Sequence, residues 1–279
     1  MKKINALLLA MLLLVSITAA CKKDTPATAE SPAGTPAQVL RVGMECAYAP
    51  YNWTQFEETE YTVSIGNGEY ADGYDVAIAK LVADKLGMNL EIVKTDWDGL
   101  PPSLTSGKID LIIAGMTDTL ERRETLDFTL PYWVSDVVLV VKKDGAFATA
   151  TQLSNFAGAK VTGQQGTLHY DLIDKIDGVN KLEAYADFPT MLMALSSGKI
   201  DAYIAESPTA FAATISNPDV TFVTFDRESG FGEEVSVSVG LRYDSEELKE
   251  SIDDILAGIT EAERMEIMEA AISRQPLGE

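Results

Sequence analysis

The chain is short of cysteine, of histidine and of positive charge, and each shortage closes off a class of explanation. Its 279 residues include two cysteines, Cys21 and Cys46, and one histidine, His169. With Cys21 at the very start of the expected mature chain, where a modification would claim it, Cys46 has no partner for an intramolecular disulfide, and the fold must be held by burial alone. A single histidine excludes the paired-histidine zinc helix, and no nucleophile elbow accompanies it. Lysine and arginine number 22 against 43 acidic residues, a formal net charge of −21. Such a surface repels nucleic acid and anionic membrane, draws small cations in a general way, and also serves solubility. Long apolar runs are scarce as well: the N-terminal one, Ala6 to Val15, is about half of what a membrane-spanning helix needs.

What is present begins at that run. Lys2 and Lys3 precede it and small residues follow it up to Cys21, which is the pattern of a signal peptide over residues 1–20. The Ala19-Ala20-Cys21 ending resembles a bacterial lipobox, with Thr18 where Leu, Val or Ile is usual; ordinary cleavage at a small-residue site is the alternative. The expectation is an extracytoplasmic protein anchored to the cell membrane through lipidated Cys21. Residues 21–38, rich in Pro, Thr, Ala and Ser, read as a flexible tether. About 240 residues remain, enough for one large domain or two small ones.

Short β-rich runs (39–44, 89–95, 109–115, 137–142 and 159–163) alternate with helical patterns at 75–86 and 188–198, which predicts α/β lobes with mostly parallel sheets. One phrase occurs twice, 91 residues apart: LTSGKIDLIIAGM from Leu104 and LSSGKIDAYIAES from Leu195. That spacing is too long for a solenoid and suits two similar lobes. In each copy a helix ends on Gly and a buried strand begins after Lys-Ile-Asp. Ligands gather at the carboxyl ends of such strands, which directs attention to Gly115 to Thr117 in one lobe and to Glu206 in the other.

After the first strand, Gly115 permits close backbone approach, Thr117 offers a hydroxyl, and a helix expected near Thr119 would present its N-terminus to a carboxylate. Arg122 adds a bidentate fork, whereas its neighbour Arg123 reads equally well as a solvated surface charge. Gly166 and Thr167 end another strand and offer donors to the same carboxylate. Glu206 suits an ammonium group, or serves as a helix N-terminal acid. Glu45, Tyr48, Tyr51 and Trp53 follow the first strand and Trp97 follows the second; aromatic faces beside an acid suit a cationic side chain, and core packing is the plainer role of each ring. The Gly66-Asn67-Gly68 segment imitates a dinucleotide fingerprint but reads as an ordinary turn.

The run from Gly73 to Trp133, with its Gly-Tyr-Asp-Val, Asp-Trp-Asp-Gly-Leu, Ser-Gly-Lys-Ile-Asp and Thr-x-Glu-Arg elements, resembles the polar amino-acid-binding proteins of bacterial ABC importers. These form solute-binding protein family 3 of the type II periplasmic binding protein superfamily, and the likeness extends from Val39 to the C-terminus. It implies two lobes joined by two crossing strands, 39–134 plus 233–279 and 135–232. It implies that Arg122 holds an α-carboxylate with Thr117, Gly115 and Thr167, that Glu206, where the family usually has Asp, holds the α-ammonium, and that Tyr48 and Trp97 sandwich a side chain whose cation meets Glu45. Leu168 stands where many members carry a second Thr or Gly. Residues 54–72 have no place on the ligand in this reading. The expected partners are an L-amino acid, of Lys or Arg type, and an ABC permease, with no nucleic acid, no cofactor, no metal, no catalytic residue and a monomeric state. A binder of another polar amino acid such as Gln, or a secreted dehydratase of cyclic acids using His169, are the alternatives.

Overall fold

The structure is a computed structural model that describes residues 38–232 and 234–276. The expected leader, Cys21 and all but the last residue of the expected tether lie outside the described residues. The chain enters on β1 (Val39–Met44), whose alternate residues Leu40, Val42 and Met44 are fully buried. It then leaves the main sheet for a small antiparallel one: β2 (Ala47–Tyr48), β3 (Asn52–Gln55), β4 (Val63–Gly66) and β5 (Glu69–Asp72), in the order β2-β3-β5-β4. Asn67 and Gly68 join the last two with φ of 54° and 75°, the two positive values of a type I′ turn. The glycine-rich segment is thus a hairpin turn, and a whole strand separates it from the next helix, so it forms no phosphate loop. That helix, α1 (Tyr74–Leu86), turns Val76, Ile78, Ala79 and Val82 into the core and stops at Gly87, whose left-handed φ of 66° releases the chain.

Next come β6 (Asn89–Lys94), α2 (Leu100–Thr105) and β7 (Leu111–Ile112), with β6 and β7 both parallel to β1. Pro101 and Pro102 sit in the first turn of α2, where an absent N–H breaks no helical bond. The strand expected over 109–115 is shorter than its apolar run, because Gly115, at φ 60°, turns the backbone away. By contrast β8 (Asp127–Lys142) starts ten residues before the run expected at 137–142. Pro131 hides this first half, since proline within a run argues against a central strand. The structure accommodates it at a register shift, and there the Thr129 hydroxyl accepts the Val239 N–H at 3.1 Å.

The second lobe holds β9 (Lys160–Thr162), α3 (Leu168–Leu172), β10 (Asn180–Lys181), α4 (Phe188–Ser196), β11 (Ala202–Glu206), α5 (Ser207–Ser216) and β12 (Val220–Val223). The chain returns through β13 (Glu234–Leu241), and α6 (Glu246–Ala257) and α7 (Glu261–Arg274) pack against α1. Strand order is β10-β9-β11-β8-β13-β7-β1-β6, with β12 also on β8. From Asp127 to Asp136 β8 pairs with β13, and beyond Val137 it pairs with β11 and β12. One strand therefore serves both lobes, and this mixed α/β fold of two lobes joined by β8 and β13 is the type II periplasmic binding protein architecture the sequence led us to expect.

The repeated phrase does the same work twice. Gly107 and Gly198 both adopt φ 76° at a helix end, and Ile109 and Ile200 are both buried. Asp110 N–H donates to Arg41 O and Asp201 N–H to Lys160 O, each at 2.8 Å. In return the Asp110 carboxylate accepts from Arg41 N at 3.0 Å, and that of Asp201 from Lys160 N at 2.8 Å. Each aspartate thereby locks the start of its lobe's first parallel strand.

Candidate ligand-binding cleft

The carboxyl ends of β1, β7, β9 and β11 meet between the lobes. Tyr48, Trp97, Gly115, Thr117 and Arg122 on one side, and Gln164, Thr167, Leu168, His169 and Phe188 on the other, line a cleft that is nearly closed, with a free volume of about 10 Å³. Six of the residues expected from sequence are in that lining: Tyr48, Trp97, Gly115, Thr117, Arg122 and Thr167. The remaining two, Glu45 and Glu206, lie just behind it and touch it through Gln164 and His169. A larger apolar cavity of about 310 Å³, bordered by Cys46, Trp53, Leu192, Tyr203 and Ala212, shares Phe188 with the cleft and is lined by no charged side chain.

Arg122 is held by backbone. Its Nη1 donates to Thr117 O at 2.6 Å and its Nη2 to Gly166 O at 3.1 Å, while the guanidinium lies 5.2 Å from the centre of the Trp97 ring. Burial pulls its pKa down to about 10, against the attraction of Glu121, Asp171 and Asp118, so it remains a poorly hydrated cation at neutral pH. Arg123 is exposed and paired with Asp118. The α-helix expected near Thr119 is not formed. Only a 3₁₀ turn, Arg122–Glu124, fits before β8 begins at Asp127, too short to present a helix N-terminus.

Gly115 also differs from its expected role. Its N–H donates to Tyr132 Oη at 3.0 Å, away from the cleft. What it contributes is the lack of a side chain: a Cβ there would come within 2.8 Å of the Tyr48 ring. Tyr132 passes the connection on, donating to Asp75 Oδ1 at 2.8 Å, and Asn52 donates to Asp75 Oδ2 and accepts from Cys46 N, both at 2.7 Å. A buried chain of hydrogen bonds centred on Asp75 therefore ties the Glu45–Tyr48 segment to the Gly115–Thr117 segment. Burial pushes the Asp75 pKa up to about 7, and the Asn52 and Tyr132 hydrogen bonds restrain it.

Across the cleft, the segment 164–167 meets the first lobe at several points. Gln164 Nε2 donates to Glu45 Oε1 at 2.9 Å, Gln165 Nε2 to Asp98 Oδ2 at 3.1 Å, and Gly166 O accepts from Trp97 Nε1 at 3.3 Å. Thr167 spends its hydroxyl proton on Gln164 O at 2.7 Å, which leaves its backbone N–H as its other donor. Glu45 is buried, and desolvation, reinforced by Asp187, Asp96 and Asp98, pushes its pKa up to about 7 despite the Gln164 bond. Glu206, at the end of β11, is fully buried; desolvation pushes it up to about 8. His169, facing it at 3.3 Å, is held neutral by burial and by Arg122, with a pKa near 3. His169 reads from sequence as a polar loop residue, and Gln164 and Phe188 carry no signal there at all, because their place in the cleft depends on how the lobes meet.

Two α/β lobes that share strands and bring a half-buried guanidinium and two buried acids to one cleft define a binding protein for a small polar solute. The chain belongs to the bacterial extracellular solute-binding proteins, family 3, whose family model matches residues 40–271. It is 33% identical over 224 residues to a probable histidine-binding protein of Campylobacter jejuni, covering 80% of this chain and 79% of that one. It is 32% identical to the L-cystine-binding protein TcyJ of Escherichia coli, covering 78% and 76%. Among solved structures, the amino acid ABC transporter substrate-binding protein AbpA of Streptococcus pneumoniae, bound to L-arginine, superposes with a TM-score of 0.73 at 29% identity, covering 84% of this chain and 94% of that one.

Proposed function

We propose that this protein captures a cationic L-amino acid outside the cytoplasm and delivers it to an ABC permease. One observation carries the choice of ligand: the cleft pairs one half-buried guanidinium, Arg122, with two buried acids, Glu45 and Glu206. That set complements a solute with one carboxylate and two cationic groups, which is lysine or arginine. Arg122 takes the α-carboxylate with the Thr167 N–H, Glu206 the α-ammonium, and Glu45 the side-chain cation between Tyr48 and Trp97. The arginine bound to the pneumococcal structure and the histidine named for the Campylobacter relative support a basic ligand; the cystine of TcyJ marks how far side chains range among relatives.

On this reading residues 39–134 with 233–279 and residues 135–232 close as two bodies about β8 and β13, and ligand favours closure only through its differential affinity for the closed form. Cys21 carries a lipid that holds the monomer at the membrane, and the cleft binds its ligand without converting it. The deciding experiment is a thermal-shift panel of the common amino acids. A ligand at a hundred times its Kd adds about 2.7 kcal/mol of stability, a rise in Tm of roughly 5–10 °C for a chain of this size. Arginine or lysine should give the largest rise; stabilisation by Gln or Glu without the basic amino acids would remove Glu45 from its role.

A further inference from the structure

Glu206 and His169 form a pair that the fold buries and leaves unsatisfied. His169 Nε2 lies 3.3 Å from Glu206 Oε1, yet both carboxylate oxygens and both ring nitrogens are buried without a hydrogen-bond partner. Their surroundings are largely hydrocarbon. Val137 on β8 stands opposite Glu206, Pro208 and Thr209 follow it on α5, and the Phe188 ring on α4 meets the imidazole edge-on with centroids 6.2 Å apart. Of the titratable or charged groups, Arg122 and Tyr48 line the cleft with His169, Tyr203 sits buried on β11 itself, and Asp136 on β8 and Asp171 on α3 are exposed.

An ionised carboxylate in such a place has nothing to offset its lost hydration, so the acid keeps its proton. Only its own backbone N–H pulls the other way. The imidazole, neutral for the reasons given above, has one nitrogen free to accept. Two acceptors are therefore ready, one of them blocked by a proton.

We propose that Glu206 and His169 together hold the ligand's α-ammonium, and that its arrival expels the Glu206 proton, so that capturing one amino acid releases a proton to solvent. The Glu206 O–H bond breaks, the proton goes to water or buffer, the carboxylate left behind pairs with the ammonium, and the free imidazole nitrogen accepts a second N–H. This rests on the reading of Glu206 as the ammonium partner. Through Glu206, binding then tightens as pH rises from 6 to 8, approaching tenfold per pH unit at the acidic end, and more steeply where Glu45 also gives up its proton.

The test is isothermal titration of L-arginine into the protein at pH 6, in two buffers of different ionisation heat. Wild-type protein should release at least one proton per arginine, because Glu45 also loses one if it meets the side chain. Glu45→Gln, which removes that second source, should still release about one. His169→Leu should weaken arginine binding at least tenfold, and His169→Asn, which keeps an acceptor, should lose less. Arginine binding with no proton release in the wild type overturns this proposal while leaving the binding function standing. Unchanged affinity in His169→Leu overturns the part given to the imidazole. Failure of every amino acid to bind overturns this proposal and the proposed function together.

Discussion

Two adjacent arginines carry opposite expectations. Arg122 is fixed by two carbonyls beneath Trp97 and lines the cleft, whereas Arg123 is exposed and tied to Asp118. Arg122→Ala should weaken capture of every amino acid at least about thirtyfold, in keeping with the roughly 2–5 kcal/mol lost when one partner of a hydrogen-bonded charge pair is truncated. Arg123→Ala should change affinity less than about fivefold, since an exposed pair is worth under about 1 kcal/mol. Calorimetry on both variants decides it, and equal losses would sink the carboxylate role. Position after a strand end is what makes Arg122 stand out in the sequence. No comparable cue exists for Gln164, and those that mark Asp75, within Gly-Tyr-Asp-Val, and His169, after the Gly166-Thr167 strand end, do not reveal what either touches. Asp75 sits in a helix that reads as plainly amphipathic, and its connection to Gly115 through Tyr132 spans residues far apart in the chain.

The elements that sequence reveals well are those whose apolar period is uninterrupted, such as α1, α4 and the outer parallel strands. Where proline or glycine breaks the period, tertiary pairing decides instead. Pro131 conceals the half of β8 that links the lobes, and Gly115 cuts β7 short of its apolar run. Twinned Ser-Gly-Lys-Ile-Asp segments are legible as a lobe signature, but the reason for the aspartate is visible only in the structure, where it clamps the neighbouring strand. The two clamps are unequal. Asp110 also binds the Arg41 side chain, through Nε at 3.0 Å and Nη2 at 2.7 Å, whereas Lys160 Nζ stays 4.0 Å from Asp201. Asp110→Ala should therefore destabilise ligand-free protein in urea by roughly 1–3 kcal/mol, and Asp201→Ala by less. The Arg41 partnership holds the Asp110 carboxyl below its usual pKa, so its contribution is intact above about pH 4 and fades as pH falls through the lowered value. An inverted order of the two variants would mean that the backbone clamp in the second lobe, not the ion pair in the first, sets lobe stability.

Across the whole molecule, an acidic surface encloses an interior where three acids hold protons. Glu45, Asp75 and Glu206 have folded pKa values near 7, 7 and 8, set first by burial, against about 4 in the unfolded chain. A raised acid stabilises the fold fully below its unfolded pKa and loses that contribution as pH climbs through the folded value. His169 runs the other way: lowered to about 3 by burial and Arg122, it contributes fully above about pH 6.5 and loses that as pH falls. A formal net charge of −21 adds self-repulsion that grows as the remaining acids ionise. The ligand-free protein should therefore be most stable near pH 4–5, about where the unfolded acids begin to ionise, with a Tm that declines from about pH 5 to pH 8 and levels off above the highest folded value. Saturating arginine should flatten that decline, because the bound form already carries Glu45 and Glu206 as carboxylates paired with cations, leaving Asp75 as the residual slope. Asp75→Asn in the presence of arginine should remove most of what remains. A ligand-free Tm that is level or rising between about pH 5 and pH 8 would mean that these acids are hydrated in solution, and that the cleft opens widely enough without ligand for water to reach them.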